Sequence, residues 1–362
     1  MGGVSAPSQL RFEELRAVGL DAGLVAVGVT GVEPFLETRA VLEERREHGL
    51  NATMQFTYRN PTRSTEPAAL LSGAASLIVG AWPYPGGETT SDSIASPESA
   101  GDSDLTSPVG RVARYASEDH YAHLREALAR IAAVLESAGH RTRIVADDNA
   151  LVDRAAAYRA GVGWFGRNAN ILVPGHGSWV LLGAVVTDAP LGHSEPVADD
   201  CGSCRRCIDG CPTGAIIAPG VVDARRCLAW IVQAAGPIPV EFREALDDRV
   251  YGCDDCQEVC PPSRRSPEGN EAVGAGGRVD LLDLLAASDE ELLDRHGRWY
   301  IADRDVRHLR RNALVALGNV AAPEDQRVRD ALRDVADGRD ELLAEHARWA
   351  QWRLDSRRGA LT

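Results

Sequence analysis

All eight cysteines of this 362-residue chain lie between Cys201 and Cys260, and their spacing limits what the chain can be. Cys201, Cys204, Cys207 and Cys211 precede Pro212, the bacterial ferredoxin run in which the fourth cysteine serves the other of two cubes. Cys253, Cys256 and Cys260 precede Pro261 and repeat the end of that run, with Cys227 alone between the groups. At four thiolates per cube, Cys201, Cys204, Cys207 and Cys260 hold one [4Fe-4S] cluster, and Cys253, Cys256, Cys211 and Cys227 the other. Zinc ribbons instead use two well-separated Cys-x-x-Cys pairs, whereas three cysteines at successive three-residue steps curl around a larger object. Disulfides need an oxidising compartment, and Met1 to Gln9 shows neither a twin arginine nor an apolar run before a cleavage site. The expectation is two [4Fe-4S] clusters in a cytoplasmic protein.

An electron carrier needs little beyond this segment, yet 200 residues precede it, so something else is expected to bind there. The length suits two or three domains. All 39 basic residues are arginine. Without lysine there is no Walker A loop, no pyridoxal phosphate imine and no Schiff-base aldolase chemistry. A net charge of -14 argues against a general nucleic-acid coat protein, and a nucleic-acid partner would need a local basic surface. No apolar run approaches bilayer length, so no membrane partner is expected.

Apolar periodicity predicts a helix through Leu10, Leu15 and Val18, and strands at Leu24 to Thr30 and Ser76 to Trp82. Further on it predicts a helix at His120 to Ala138, a strand at Arg141 to Ala146, a helix at Leu151 to Ala160 and a strand at Trp179 to Thr187. Pro85 to Pro108 is nearly all small, polar and acidic, which predicts a mobile loop. Pro267 to Val279 reads as a glycine-rich linker. Arg310 to Asn319 and Glu345 to Ala350 look like pieces of HEAT-type helical repeats, with an ordinary helical cap as the alternative. The expected class is α+β: an N-terminal α/β domain over 1–195, a ferredoxin-like domain carrying both clusters over 196–266, and a HEAT-like helical domain over 280–362.

Several segments resemble the epoxyqueuosine reductase family. Tyr251 to Pro261 is similar to that family's second cluster motif, and Gly236-Pro237-Ile238-Pro239 fits the same template. Ala160 to Asn168 resembles its Ala-Gly-x-Gly-Trp-x-Gly-Lys-Asn segment, and Ala113-Arg114-Tyr115-Ala116 followed by Asp119 another element. The likeness covers nearly the whole chain. It implies a cobalamin between the N-terminal and cluster domains, lower axial base displaced, and the chain lacks the Asp-x-His-x-x-Gly motif that puts histidine on cobalt. The implied reaction converts the epoxide of epoxyqueuosine, at the wobble position of a tRNA with a GUN anticodon, to an alkene with loss of water. An external low-potential donor feeds the clusters, and a monomer is expected.

Carbon-oxygen cleavage needs an acid, and a buried carboxyl can hold a proton near neutral pH. The family's Asp-Ser-x-Pro segment corresponds to Asp147-Asp148-Asn149-Ala150, which makes Asp147 the implied general acid. Asp148 is the alternative, and a helix cap the bland reading for either. Cobalamin contacts are implied at Asp147, Arg167, Asn168, Ile171, Ala229, Asp254 and Asp255, with Trp164 near the corrin or simply core. Arg167 replaces the family lysine and Ala229 a usual serine. Arg295 to Arg311 holds six arginines against two aspartates, so Arg298, Arg307, Arg310 and Arg311 are expected to contact tRNA phosphates, unless the run is a solvated helix face. The competing functions are a reductive dehalogenase of the corrinoid iron-sulfur kind and a non-catalytic electron carrier.

Overall fold

The computed structural model describes residues 11–84, 107–269 and 277–359. The expected loop therefore lies outside the described residues, apart from Ser107 and Pro108. The strands that position the site are β1 (Ala26–Thr30), β2 (Ser76–Pro83), β3 (Val109–Val112), β4 (Thr142–Ala146), β5 (Val180–Thr187), β6 (Arg249–Tyr251) and β7 (Gly277–Asp280). The helices are α1 (Phe12–Asp21), α2 (Leu36–Glu47), α3 (His120–Ser137), α4 (Asp153–Arg159), α5 (Leu228–Ile231), α6 (Arg307–Val320), α7 (Gln326–Ala336) and α8 (Glu341–Gly359).

Four strands form one sheet in the order β1-β2-β5-β4, and every neighbouring pair is antiparallel. The alternating helices and strands suggest an α/β layer, but periodicity carries no strand direction, and the N-terminal region is α+β. Side chains along β2 alternate between two cores. Ile78 packs with α1 and α3, while Leu77, Val79 and Ala81 pack with α4. On α3, Leu124, Leu128, Ile131 and Leu135 recur at helical spacing and are all buried, each contributing about 1.5–3 kcal/mol. Asp119 caps α3 by accepting from Ala122 N–H. On the opposite face, Ala155, Ala156 and Ala157 are buried, and α4 lies close to the sheet. α2 buries only Leu42, so it has no apolar stripe for a sequence reading to find.

A second sheet runs β6-β3-β7. β6 lies between two groups of cysteines, and β7 is the end of the stretch expected to be a linker; it pairs antiparallel with β3 over Gly277 to Asp280. Val112, Leu228 and Val250 share one core with Leu284, Leu314, Leu317 and Leu354, so packing crosses both expected boundaries. Among the described residues no helix is long and apolar enough to cross a membrane.

Candidate active site and iron-sulfur centre

The cysteines sit on short turns whose N–H groups face the sulfurs. Cys227 precedes α5 and Cys260 precedes the turn Pro261–Arg265, while Ala215 N–H donates to Cys211 Sγ at 3.2 Å. None of the eight is in a disulfide. Burial pushes the Cys207 thiol up to about 11, and Cys260, Cys201 and Cys204 push it further. Burial likewise takes Cys253 up to about 12, with Asp255 the next cause and Cys227 a lesser one. Cys256 is raised by burial, then by Cys253 and Cys227, and Cys227 by burial, with Cys211 also raising it. Cys207 also raises Cys256, so the crowding runs across both expected foursomes. Bound iron would relieve it, because a coordinated thiol is held as thiolate. Among the described residues no three side chains gather closely enough for a single ion. Trp164 packs against Leu172, Cys260, Val197 and Cys201, and its buried Nε1–H has no partner among the described residues. It is core beside the first foursome, and its free N–H suits a cluster sulfur.

Asp147 ends β4 with φ +54°, a left-handed conformation that costs a non-glycine residue roughly 1 kcal/mol or more. In the turn that follows, Asp148 Oδ1 accepts from Ala150 N–H at 2.8 Å, so Asp148 is the turn former. Asp147 accepts no hydrogen bond among the described residues. Asp147 is exposed. Desolvation raises it above the ordinary carboxylate value, Arg125 opposes this, and Asp148 adds to it. Arg125 and Tyr121 lie one turn apart on α3, with Arg125 over the Tyr121 ring at 5.7 Å. The Tyr121 hydroxyl is raised by burial and then by Asp147 and Asp153. Tyr251 of β6, pushed up to about 12 mainly by burial, also feels Asp147.

The other implied cofactor residues are spread around this region. Gly161 has φ +67°, and a Cβ there would overlap the Glu195 carbonyl; the turn it makes leads the chain to Arg167 and Asn168. Arg167 Nη2 donates to Gly202 O at 2.5 Å, tying this turn to the cluster segment. Asn168 is buried and donates to Cys256 O at 3.4 Å. Ile171 is buried in the sheet-side core and Ala229 lies in α5. Asp254 and Asp255 are committed to the protein: Asp254 Oδ2 accepts from Arg114 N–H at 2.8 Å, and Asp255 Oδ1 pairs with Arg249 at 2.5 Å.

The arginine run divides. Arg311 is 1 % exposed, and its guanidinium donates to the carbonyls of Ile231, Val232, Ala234 and Gly236, so it holds the chain after α5 and cannot reach a phosphate. Arg307 is bridged to Asp305 and Asp340 beside a cavity of about 600 Å³ that Asp303, Glu341 and Glu345 also line, surroundings that repel an anion. Arg310 is paired with Asp289 at 2.7 Å. Arg298 donates to the carbonyls of Ala116 and Ser117 at 2.8 Å and has no carboxylate partner among the described residues.

Tyr121, Asp153 and an aromatic group of Phe56, Trp230 and Tyr300 were not singled out as functional from sequence. Phe56 meets Tyr300 at 5.0 Å, and Tyr300 stacks on Trp230 at 6.1 Å. Tyr300 is 43 % exposed, and the Tyr251 hydroxyl accepts from its N–H at 2.8 Å. Phe56, Trp230 and Tyr300 come from distant stretches, so no local pattern could show them.

Residues 200–263 match the family described as 4Fe-4S double cluster binding domain, which makes this an iron-sulfur protein. The epoxyqueuosine reductase of Bacillus anthracis is 32 % identical over 350 residues, covering 94 % of this chain and 89 % of the relative. The chain belongs to the epoxyqueuosine reductase family, and it is an oxidoreductase. An epoxyqueuosine reductase crystallised with a tRNA-Tyr epoxyqueuosine-modified stem loop has a similar structure, with a TM-score of 0.80 at 30 % identity over 94 % of this chain and 89 % of that one. The Bacillus subtilis enzyme, solved with its aspartate-bearing catalytic loop swung out of the active site, gives 0.80 at 28 % identity over 94 % and 90 %.

Proposed function

We propose that this chain reduces the epoxide of epoxyqueuosine in a tRNA anticodon to the alkene of queuosine, with electrons entering through two [4Fe-4S] clusters and Asp147 as the acid. The placement of Asp147 carries the reading. It stands on a strained turn and accepts no hydrogen bond among the described residues, in a family whose Bacillus subtilis member bears an aspartate on its catalytic loop. An acid so placed keeps its proton until the departing oxygen takes it.

A cobalamin, when bound, supplies the strongly reducing centre between clusters and substrate. The residues fit such a group. Asp147 is exposed and accepts no hydrogen bond among the described residues, so its carboxyl is available to an amide-rimmed corrin, and Asp147, Asn168, Ile171 and Ala229 are the residues that would hold it. For the tRNA, Arg298 offers an uncompensated charge, and the exposed Tyr300 ring, backed by Trp230 and Phe56, offers a face on which an unpaired base stacks. An external low-potential donor supplies the electrons. Incubation of the reduced, cobalamin-loaded protein with an epoxyqueuosine stem loop tests this: the nucleoside should lose one oxygen, and its persistence would refute the assignment.

A further inference from the structure

Two buried tryptophans of this chain give their indole N–H to a carbonyl. Trp179 Nε1–H donates to Ser263 O at 3.0 Å, and Trp299 Nε1–H to Ala116 O at 2.9 Å. Trp164 does not: it is 8 % exposed, and its Nε1 is buried without a partner among the described residues. Leaving such a donor unpaired is costly, and the residues packed around it say what would pair it. Trp164 shares one packed cluster with Leu172, Val197, Cys201 and Cys260, and both cysteines belong to the first foursome. Cys260 also accepts from Ser263, through its N–H and its hydroxyl, so donors converge on this side of the foursome. The backbone under the ring is held in place. Trp164 pairs with Leu172 in a two-residue antiparallel ladder, so close that a Cβ on Gly163 would overlap the Leu172 carbonyl. The turn that follows is tied to both cysteine groups, through Arg167 to Gly202 O and through Asn168 to Cys256 O.

We propose that Trp164 Nε1–H donates a hydrogen bond to a sulfur of the first cluster and thereby raises the potential at which that cluster takes up its electron. The inference rests on the two-cluster part of the reading above and is independent of the substrate. Sulfur can accept where no carbonyl does, since a cube presents inorganic sulfides as well as the thiolates of Cys201 and Cys260. When a cube takes one electron from an external reductant, no bond forms or breaks and its sulfurs gain negative charge. A fixed N–H therefore stabilises the reduced form more than the oxidised one. The donor is in place before the electron arrives, because the ring is buried and its strand is paired. The first cluster is then easier for an external donor to reduce than the same cube beside an apolar side chain.

Potentiometric titration of the anaerobically reconstituted protein, without cobalamin or stem loop and followed by EPR, tests this. Trp164→Phe should keep its iron and sulfide and move one of the two one-electron steps to lower potential, by roughly tenfold in the reduction equilibrium or about 59 mV. The step that moves should be the one whose EPR signal Cys201→Ser alters, and the other should stay. Leu172→Val loosens the same packing without removing the N–H and should leave both steps in place. Isotopic nitrogen in the tryptophan indoles gives a direct signature: the reduced parent should show coupling between the label and the first cluster's signal, and Trp164→Phe should lack it. Parental potentials in Trp164→Phe would overturn the inference, as would an equal shift in Leu172→Val, which marks packing alone. If Trp164→Phe loses its iron, the labelled parent decides: absence of the coupling overturns the inference and its presence upholds it. Failure of the unsubstituted protein to take up iron and sulfide would bring down the two-cluster reading, and this inference with it.

Discussion

Asp147 and Asp148 are adjacent carboxylates with different work, and their backbone decides it. Asp148 closes the turn by accepting from Ala150 N–H, while Asp147, at a left-handed φ, accepts no hydrogen bond among the described residues. Asp147→Asn should keep clusters and stem-loop binding while lowering turnover by roughly two to four orders of magnitude; Asp148→Asn should do much less, since an asparagine Oδ1 still accepts from Ala150 N–H. The sign of the pH dependence follows from the shift. The active form is protonated and burial raises the carboxyl, so turnover is retained at low pH and lost as pH rises through the raised value. Initial rates across a pH series check both points. The motif at Val145 to Ala150 made Asp147 legible in the sequence. Asp153 was not, because an acid opening a helix reads as a cap, and Tyr121, part of an amphipathic helix, reads as core.

The arginine-rich run shows what composition conveys about an element and what it leaves out. Six arginines in α6 and the segment before it count alike as charges, but burial separates them. Arg311 satisfies carbonyls at the end of α5 that would otherwise be stranded in an apolar core, so Arg311→Ala should lower unfolding free energy by about 3 kcal/mol or more, seen in denaturant titration. Arg298→Glu should cost some stability through its lost bonds to Ala116 and Ser117 but keep the iron, while weakening stem-loop binding and flattening its salt dependence, since a phosphate contact releases counterions. Titrations at several salt concentrations measure this. The main strands and helices were readable because their apolar periods are regular. The antiparallel order of the sheet was not, and neither was β7, whose glycine-rich sequence becomes a strand only because β3 offers it an edge.

Across the whole molecule, the cluster segment, β3 and the C-terminal helices share one core. The cysteine pattern, being local and chemical, pointed to the double-cluster segment that the family match bears out, but the packing that supports it is not local. A chain ended before Leu281 would expose Leu228, Val250 and Tyr251 to water, and it should purify with little iron even under anaerobic reconstitution. The central claim is that two cubes feed a reduction at Asp147. Anaerobically reconstituted protein should carry about eight iron and eight sulfide per chain, and with cobalamin and a low-potential reductant it should convert an epoxyqueuosine stem loop to the queuosine form, read by mass spectrometry as loss of one oxygen. Protein with that full iron and sulfide content, loaded with cobalamin and reduced, that leaves the oxygen in place would contradict the account.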